Sequence, residues 1–187
     1  PRKRPYGSPL FARPHPGLAR GRVRYVGDPV ALIVAESLAE AKDAAELIDI
    51  DYEPLPSVTD AAEAATPGSP RVWAENPDNV SHVYETGNKA AADEAFAKAA
   101  HVVKRRYVIS RVHAQYMEPR GTLGIYDPNE ERFTLYADVQ YAHRVRDMLA
   151  GTVFKIPNTR IRVVTGDVGG GLGTKDLQYV AHRLTLW

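Results

Sequence analysis

Hydrophobic and polar positions in the first third of the chain follow two different periods. The segment "RVRY" alternates, and "VALIVA" at Val30–Ala35 is a short apolar run typical of a strand buried on both faces. Ser37 and Glu40 then form a capping-box signature, and apolar residues recur at helical spacing over the next dozen positions. Strict alternation returns in "IDIDY" at 48–52. The pattern predicts a strand, a helix and a strand, an order that suits a parallel or mixed β–α–β unit.

The second half of the chain shows the same two periods in a different order. "GTLGIYDPNEERFTLYA" has two strand-like runs around the turn "DPNEE", which is a good hairpin signal. The stretch 141–154 has apolar residues at helical spacing with Gly151 near its end, and "RIRVVTGDV" predicts a strand that runs into a glycine cluster. Two further helices are predicted near 59–65 and 90–100, and the second runs into a predicted strand at 101–110.

Changes in composition divide the chain into segments. Residues 1–21 are basic and rich in Pro, which disfavours a packed element and favours a solvated arm or a segment that crosses a partner surface. A loop dense in Pro, Gly and Asn at 67–82 is predicted to be a linker between residues 22–66 and 83–187. We therefore predict an α+β fold in two pieces, without an internal repeat or a coiled coil.

Composition and charge exclude several kinds of site and argue against several kinds of partner. With 44% hydrophobic and 25% charged residues, the sequence is typical of a globular protein, and its net charge of +1 gives no reason to expect nucleic acid or an anionic membrane as a partner. The absence of Cys excludes disulfides, Cys-ligated zinc and iron–sulfur clusters within this chain. No apolar run approaches the ~18 residues of a membrane-spanning helix, and no signal peptide is visible, so a cytoplasmic location is expected.

The glycine cluster in "GDVGGGLGTKDLQ" is the strongest candidate for a binding site. Glycine-rich loops after strands commonly cradle a phosphate with their backbone N–H groups. The order Gly-Thr-Lys-Asp at the end of the cluster differs from a Walker A loop, and the spacing differs from that of a dinucleotide fingerprint. A tight turn that needs positive φ is the alternative. Lys175 and Asp176, which follow the cluster, are then either functional groups or exposed charges.

Other clusters of polar residues do not indicate a catalytic or metal site. Asp49, Asp51 and Glu53 share one face of a predicted strand, and we favour a solvated face over a metal site. The six histidines show no HExxH spacing, and no serine lies in a G-x-S-x-G context.

Three longer stretches, taken together, resemble a known family. They are "VRYVGDPVALIVAESLAEAKDAAELIDIDYEPLPSVTDA", "RVHAQYMEPRGTLGIYD" and "VQYAHRVRDMLAGTVFKIPNTRIRVVTGDVGGGLGTKD". Their order and spacing are similar to those of the molybdopterin-binding large subunit of the molybdenum hydroxylases, which include xanthine dehydrogenase, aldehyde oxidase and aerobic carbon monoxide dehydrogenase. The resemblance implies that residues 22–66 end an α/β hammerhead domain and that residues 83–187 begin a molybdopterin-binding α+β domain.

The resemblance implies that the glycine cluster contacts the cofactor. Gln140 matches a glutamine that hydrogen-bonds an oxo or apical ligand of molybdenum, a task that suits a neutral amide. No residue matches a direct metal ligand. Where the family usually has Phe this chain has Leu172, which implies a differently shaped pocket. The loop residues that match the segment against the molybdenum–dithiolene end of the cofactor are Gly169, Gly170, Gly171, Leu172 and Gly173.

Three more residues match the substrate side of the family's site. Asp176 stands where purine-oxidising members carry a substrate-binding glutamate, and its shorter side chain implies only a weak role of this kind. His113 and Glu118 belong to the family-like segment "HAQYMEP". For these two we favour a buried or pocket-lining polar pair over direct catalysis.

The activity implied by the resemblance needs more than this chain. The family hydroxylates an aldehyde, an N-heterocycle or carbon monoxide with oxygen from water, and its catalytic glutamate lies well beyond the matching region. We therefore expect a fragment or a split subunit without a catalytic residue, inactive alone. The implied cofactor is molybdopterin, in its simple or cytosine dinucleotide form, with iron–sulfur clusters and FAD on other chains of a dimer of heteromers. A cofactor-free interaction or assembly module is the alternative.

Overall fold

The computed structural model describes residues 11, 13, 16–110 and 112–187, so most of the predicted arm lies outside the described residues. Contacts between residues divide the chain into two compact units, which meet in sequence between Arg105 and Arg106. The segment at 67–82 lies within the first unit, and its role as a domain boundary stays a prediction.

Among its described residues, the first unit contains three helices, α1 at Leu38–Glu46, α2 at Ala61–Ala64 and α3 at Lys89–Lys98. The capping box begins α1: the Ser37 Oγ accepts the Glu40 N–H at 3.2 Å, and the Ser37 N–H donates to Glu40 Oε2 at 2.9 Å. The helices predicted in this region are therefore confirmed, because their caps and spacing are local features of the sequence.

The strands predicted between Arg22 and Tyr52 and at 101–110 are not formed. Residues 16–110 contain no hydrogen-bonded strand, and a side chain as apolar as that of Val34 is 88% exposed. A strand needs a neighbour for its N–H and C=O groups, whereas alternation shows only which face can be buried. The pattern identified extended segments for which the described residues provide no pairing partner.

The second unit is built on a three-stranded sheet with the order β1–β2–β3. The strands are β1 at Thr122–Asp127, β2 at Arg132–Ala137 and β3 at Ile161–Val164. β1 and β2 form an antiparallel hairpin, and β3 pairs with β2 in parallel, with Leu135 opposite Val163. The predicted hairpin and the strand before the glycine cluster are confirmed. A parallel neighbour requires a crossover connection, which the helical segment between β2 and β3 provides.

This crossover is helical over almost the predicted span. It contains α4 at Ala142–Met148 and continues as a π-helix at Leu149–Phe154. Lys155 ends the segment in the left-handed conformation with φ of 56°. The predicted helix at 141–154, with Gly151 near its end, is therefore confirmed in extent, and its last turns are the π-helix.

The core of the second unit forms where helices cover the sheet. α4 packs against β3, while α5, at Val180–Leu186, packs against β1 and β2. Leu135 of β2 and Val145 and Leu149 of the crossover are fully buried. α5 is not predicted from the sequence, because seven residues carry little periodicity and Tyr179 is not a typical N-cap. Within the described residues, every helix is too short or too polar to cross a membrane.

Candidate functional site

The glycine cluster forms a loop directly after β3. Gly170 and Gly173 have φ angles of 97° and 86°, in the region that favours glycine. Leu172 lies between them with φ of 49°, and it is 73% exposed. A left-handed conformation is strained for a branched aliphatic residue, so the surrounding loop must hold it in place. The loop therefore presents an apolar side chain to solvent.

The first half of the loop lies against the segment Tyr116–Glu118. The Gly169 N–H donates to Glu118 Oε2 at 2.8 Å, and the Gly169 carbonyl accepts the Glu118 N–H at 3.3 Å. A Cβ atom on Gly169 would lie 2.5 Å from the Glu118 Cβ, and one on Gly170 would lie 3.2 Å from the Tyr116 Cβ. Glycine is needed at these positions because the loop approaches another segment of the same protein.

The second half of the loop contacts the Gln140 side chain. The Gln140 Oε1 accepts the N–H of Gly173 at 3.0 Å and that of Lys175 at 3.2 Å. A Cβ atom on Gly171 would lie 2.5 Å from the same oxygen. Because the oxygen must face these two donors, the orientation of the amide is defined. The Gln140 Nε2 group has no partner among the described residues and is left as a donor.

Lys175 is buried, which removes the exposed-charge alternative for this residue. Its side chain is 0% exposed, and its Nζ lies 2.8 Å from Glu118 Oε2 and 2.6 Å from Asp138 Oδ2. The contact with Asp138 has the distance of an ion pair, but its angles are not those of a hydrogen bond. The Nζ also donates to the Glu118 carbonyl at 2.9 Å and lies 4.6 Å from the centre of the Tyr116 ring.

This arrangement shifts the pKa values of all three charged groups. The hydrogen bond from Lys175, followed by that from the Gly169 N–H, lowers the pKa of Glu118. Burial is the largest influence on Asp138 and raises its pKa, but Lys175 and the Gly121 N–H outweigh it, so the pKa is lowered. Burial also lowers the pKa of Lys175, and the two carboxylates outweigh this effect and raise it. All three groups are therefore charged at neutral pH.

Two other predicted site residues have separate contacts. Both carboxylate oxygens of Asp176 accept from the Arg144 Nη1, at 3.0 and 3.1 Å. His113 is exposed, and the centre of its ring lies 5.0 Å from that of Tyr116. In the described structure no contact joins His113 to Glu118. The structure thus brings the glycine loop, Gln140 and Glu118 together, and His113 borders this group only through Tyr116.

Asp138 is not predicted from the sequence as part of the site, and the sequence leaves the role of Lys175 open. A usable signal was present, because Glu118 precedes the predicted hairpin and Asp138 follows it. The two ends of a hairpin lie side by side, so these two carboxylates are close to each other. Because buried like charges need a counter-charge, a cation is expected next to them. Lys175 follows a loop that starts at the end of the adjacent strand and is the cation that the structure provides.

A cavity of about 490 Å³ opens at the same edge of the sheet, bounded by Glu118, Asp138 and Asp167. Three carboxylates around an open cavity disfavour an anion in this space. Among the described residues, no group of three or more His, Asp or Glu side chains is arranged to hold a metal ion.

Comparison with protein families identifies the chain. The model of the molybdopterin cofactor-binding domain matches residues 72–186, which is more than half of the chain. The chain belongs to the molybdopterin-binding large subunits of the xanthine dehydrogenase and aldehyde oxidase family. The model of the a/b hammerhead domain of aldehyde oxidase and xanthine dehydrogenase matches residues 2–56. The resemblance and the α+β class inferred from the sequence are confirmed.

Individual members of the family show the same similarity. The nicotine 6-hydroxylase large subunit of Paenarthrobacter nicotinovorans is 40% identical over 160 residues, which are 86% of this chain and 19% of the relative. The carbon monoxide dehydrogenase large chain of Afipia carboxidovorans is 31% identical over 170 residues, 84% of this chain and 21% of the relative. The crystal structure of quinoline 2-oxidoreductase from Pseudomonas putida 86 matches with a TM-score of 0.77 and 36% identity, covering 91% of this chain and 21% of that one. The chain thus spans about a fifth of the length of these relatives.

Proposed function

We propose that this chain forms part of the cofactor-binding surface of a molybdenum hydroxylase, which oxidises a small molecule with oxygen from water. The observation that carries the proposal is the orientation of the Gln140 amide. Two N–H groups of the glycine loop bind its oxygen, which leaves its Nε2 as the available donor. A neutral donor suits this position, because it binds an oxygen ligand without adding charge beside the metal centre.

The loop offers two further donors that fit the cofactor. The N–H groups of Gly171 and Leu172 make no hydrogen bond in the described part of the chain, whereas the other three glycines of the cluster donate within the protein. Adjacent free N–H groups bind anionic acceptors, and the molybdenum–dithiolene end of molybdopterin carries oxygen and sulfur atoms of this kind. We propose that Gln140, Gly171 and Leu172 hold it, while Gly169, Gly170 and Gly173 give the loop its shape.

Molybdopterin, when bound, supplies the molybdenum centre at which the substrate is oxidised. This chain's own part is to bind and orient the cofactor. The exposed Leu172 side chain adds an apolar surface next to the free N–H groups, which favours exclusion of water. No residue of the chain matches the family's catalytic glutamate, so we propose that catalysis requires residues outside the region described.

We propose an aromatic N-heterocycle as the substrate class. Nicotine and quinoline, which name two relatives that are 40% and 36% identical to this chain, both contain such a ring. On the substrate side, the Glu118 carboxylate forms an ion pair with Lys175, and the Asp176 carboxylate forms one with Arg144. His113 therefore remains as the exposed polar side chain of the three predicted there.

The whole protein is proposed to work as a heteromer. Because this chain has no Cys, iron–sulfur clusters must be held by other chains or domains, and we place FAD there as well. One relative is named as a subunit of the 6-hydroxypseudooxynicotine dehydrogenase complex, which supports partner subunits. A dimer of heteromers, molybdopterin in its simple or cytosine dinucleotide form, and a cytoplasmic location complete the proposal.

Metal and pterin analysis of the full-length protein, purified from its natural source with its partners, tests this function. About one molybdenum and one pterin per copy of the chain are expected, together with reduction of an electron acceptor in the presence of a pyridine or quinoline substrate. An intact complex without molybdenum and pterin would contradict the proposal and favour a cofactor-free assembly module. A complex that holds both but oxidises only aldehydes or carbon monoxide would refute the substrate class alone.

A further inference from the structure

Lys175 connects three segments that are far apart in the sequence. Its own backbone belongs to the end of the glycine loop, and its Nζ reaches Glu118 before β1 and Asp138 after β2. The Glu118 Oε2 atom is shared, because it accepts from both the Lys175 Nζ and the Gly169 N–H, each at 2.8 Å. The lysine side chain is therefore linked through one carboxylate oxygen to the first half of the loop.

The backbone of Lys175 forms hydrogen bonds with both the side chain and the backbone of Gln140. The Lys175 N–H donates to Gln140 Oε1 at 3.2 Å, and the Lys175 carbonyl accepts the Gln140 N–H at 2.9 Å. One residue thus controls both where the loop backbone lies and which way the Gln140 amide is turned. A shift of Lys175 would remove one of the two N–H groups that fix the amide oxygen.

The burial of this lysine indicates more than surface ion pairing. Exposed lysines stabilise a protein little through ion pairs, and a buried ammonium is costly unless it is fully paired. The side chain of Lys175 is 0% exposed, and that of its partner Asp138 is 9% exposed. Apolar residues in place of both Lys175 and Asp138 would fill the same space without this cost, so the buried ion pair points to a role in the geometry of the loop.

We infer that Lys175 is a positioning residue for the cofactor site. Its buried ammonium fixes the glycine loop through Glu118 and thereby sets the direction of the Gln140 Nε2 donor. The inference rests on the proposed function only for the identity of the group that this donor faces. The lysine acts through its neighbours and does not itself contact substrate or cofactor.

Two variants of the full-length protein separate positioning from charge compensation. Lys175→Met keeps an unbranched side chain one heavy atom shorter and removes the ammonium, which leaves Asp138 buried without its cation. Lys175→Met with Asp138→Asn removes that second charge and keeps an oxygen that can accept the Gly121 N–H, which now bonds to Asp138 Oδ1 at 2.9 Å. Lys155→Met, at an exposed lysine of the same unit, is the matched control.

Hydrogen exchange by mass spectrometry on peptides that cover 166–176 gives a readout independent of activity. In the double variant we expect only the modest fall of the thermal midpoint that follows from losing the Glu118–Lys175 hydrogen bond, but exchange in these peptides faster by about tenfold or more, because charge-assisted hydrogen bonds that hold the loop are lost. Molybdenum per copy should fall in the same variant, and the Lys155→Met control should match the wild type in all three measurements.

Wild-type exchange and wild-type molybdenum content in the double variant would overturn the inference, since the lysine would then only balance a buried charge. If the double variant fails to fold, Glu118→Gln decides, because it removes the partly exposed charge alone: faster exchange confined to 166–176 supports positioning, and unchanged exchange overturns it. A wild-type complex without molybdopterin refutes the proposed function, while the exchange comparison still tests the role of Lys175.

Discussion

The absence of a side chain at Gly171 determines where the Gln140 amide lies. The place that a Cβ atom would take is occupied by the end of the glutamine side chain, with Oε1 at 2.5 Å and Cδ at 2.7 Å. Glycine is needed at the neighbouring positions for other reasons: Gly169 lies against Glu118, and Gly173 has a positive φ. Each glycine of the cluster therefore has its own physical cause, although all four belong to one motif.

Gly171→Ala is expected to displace the Gln140 amide without unfolding the protein, because the atoms it meets belong to a movable side chain. Molybdenum per copy of the full-length protein should fall several-fold, while the thermal midpoint changes by no more than a few degrees. Gly151→Ala is the control, since no atom lies within 4 Å of its Cβ position. Equal molybdenum content in both variants would show that the amide has no part in holding the cofactor.

The lowered pKa of Glu118 makes part of the protein's stability depend on pH. A carboxyl whose folded pKa lies below its ordinary value of 4.5 contributes stability that is present above that pH and is lost as the pH falls through the folded pKa. The thermal midpoint of Glu118→Gln should therefore lie below that of the wild type at neutral pH, and the difference should shrink steadily below pH 4.5.

Thermal unfolding between pH 2 and 7 measures this difference. Glu130→Gln serves as a comparison, because Glu130 is exposed and has a single ion pair at 3.3 Å, so its removal should change the midpoint little. A difference between wild type and Glu118→Gln that stays constant down to the lowest pH would contradict the assigned cause of the pKa shift.

At the level of elements, β2 is the centre of the second unit. It pairs with β1 on one side and β3 on the other, and residues just after its end reach the glycine loop. Leu135, in the middle of this strand, is fully buried, whereas Leu123 of β1 is 54% exposed. The strand that supports the site is therefore held by packing on one face of the sheet.

Leu135→Ala should reduce the free energy of unfolding of the second unit by about 2–5 kcal/mol, because it removes buried atoms and leaves a cavity. Leu123→Ala is the matched substitution at an exposed position and should cost about 1 kcal/mol or less. Denaturant unfolding followed by a signal from this unit measures both. Equal losses in the two variants would mean that the core does not lie on the assigned face of the sheet.

On the scale of the whole molecule, the two units are joined by an extended and exposed segment. All residues from 101 to 110 are exposed, and Val108 and Ile109 reach 79% and 92%. The sequence pattern predicted a strand here, but a strand must have a hydrogen-bonded neighbour. Three basic residues, Lys104, Arg105 and Arg106, stand in the middle of this segment.

Limited digestion of this chain with trypsin should therefore cut first at Lys104–Arg106 and release an intact second unit, because exposed extended segments are the preferred sites of proteolysis. Mass spectrometry of the early fragments identifies the cut. A variant with Gln at these three positions should survive several times longer under the same conditions. Early cuts within β1–β3 in the unaltered chain would contradict the division into two compact units.

The sequence predicted elements best where their causes are local. The helix at Leu38–Glu46 follows from its capping box, and the hairpin at 122–137 follows from its turn and its strand-like runs. The unformed strands between Arg22 and Tyr52 show the opposite case, since pairing depends on a partner that no local pattern can specify. α5 was not predicted, because so short a helix depends on its packing against the sheet.

By itself, the sequence determined the family, through three stretches in the right order, and it located the glycine loop and Gln140 as the candidate cofactor site. Only the tertiary structure decided how these parts meet. It placed Lys175 in a buried position between Glu118 and Asp138, turned the Gln140 oxygen toward the loop, and left His113 exposed, with its ring against Tyr116. The physical reason is that motifs are local in the chain, whereas burial and charge pairing depend on residues that only folding brings together.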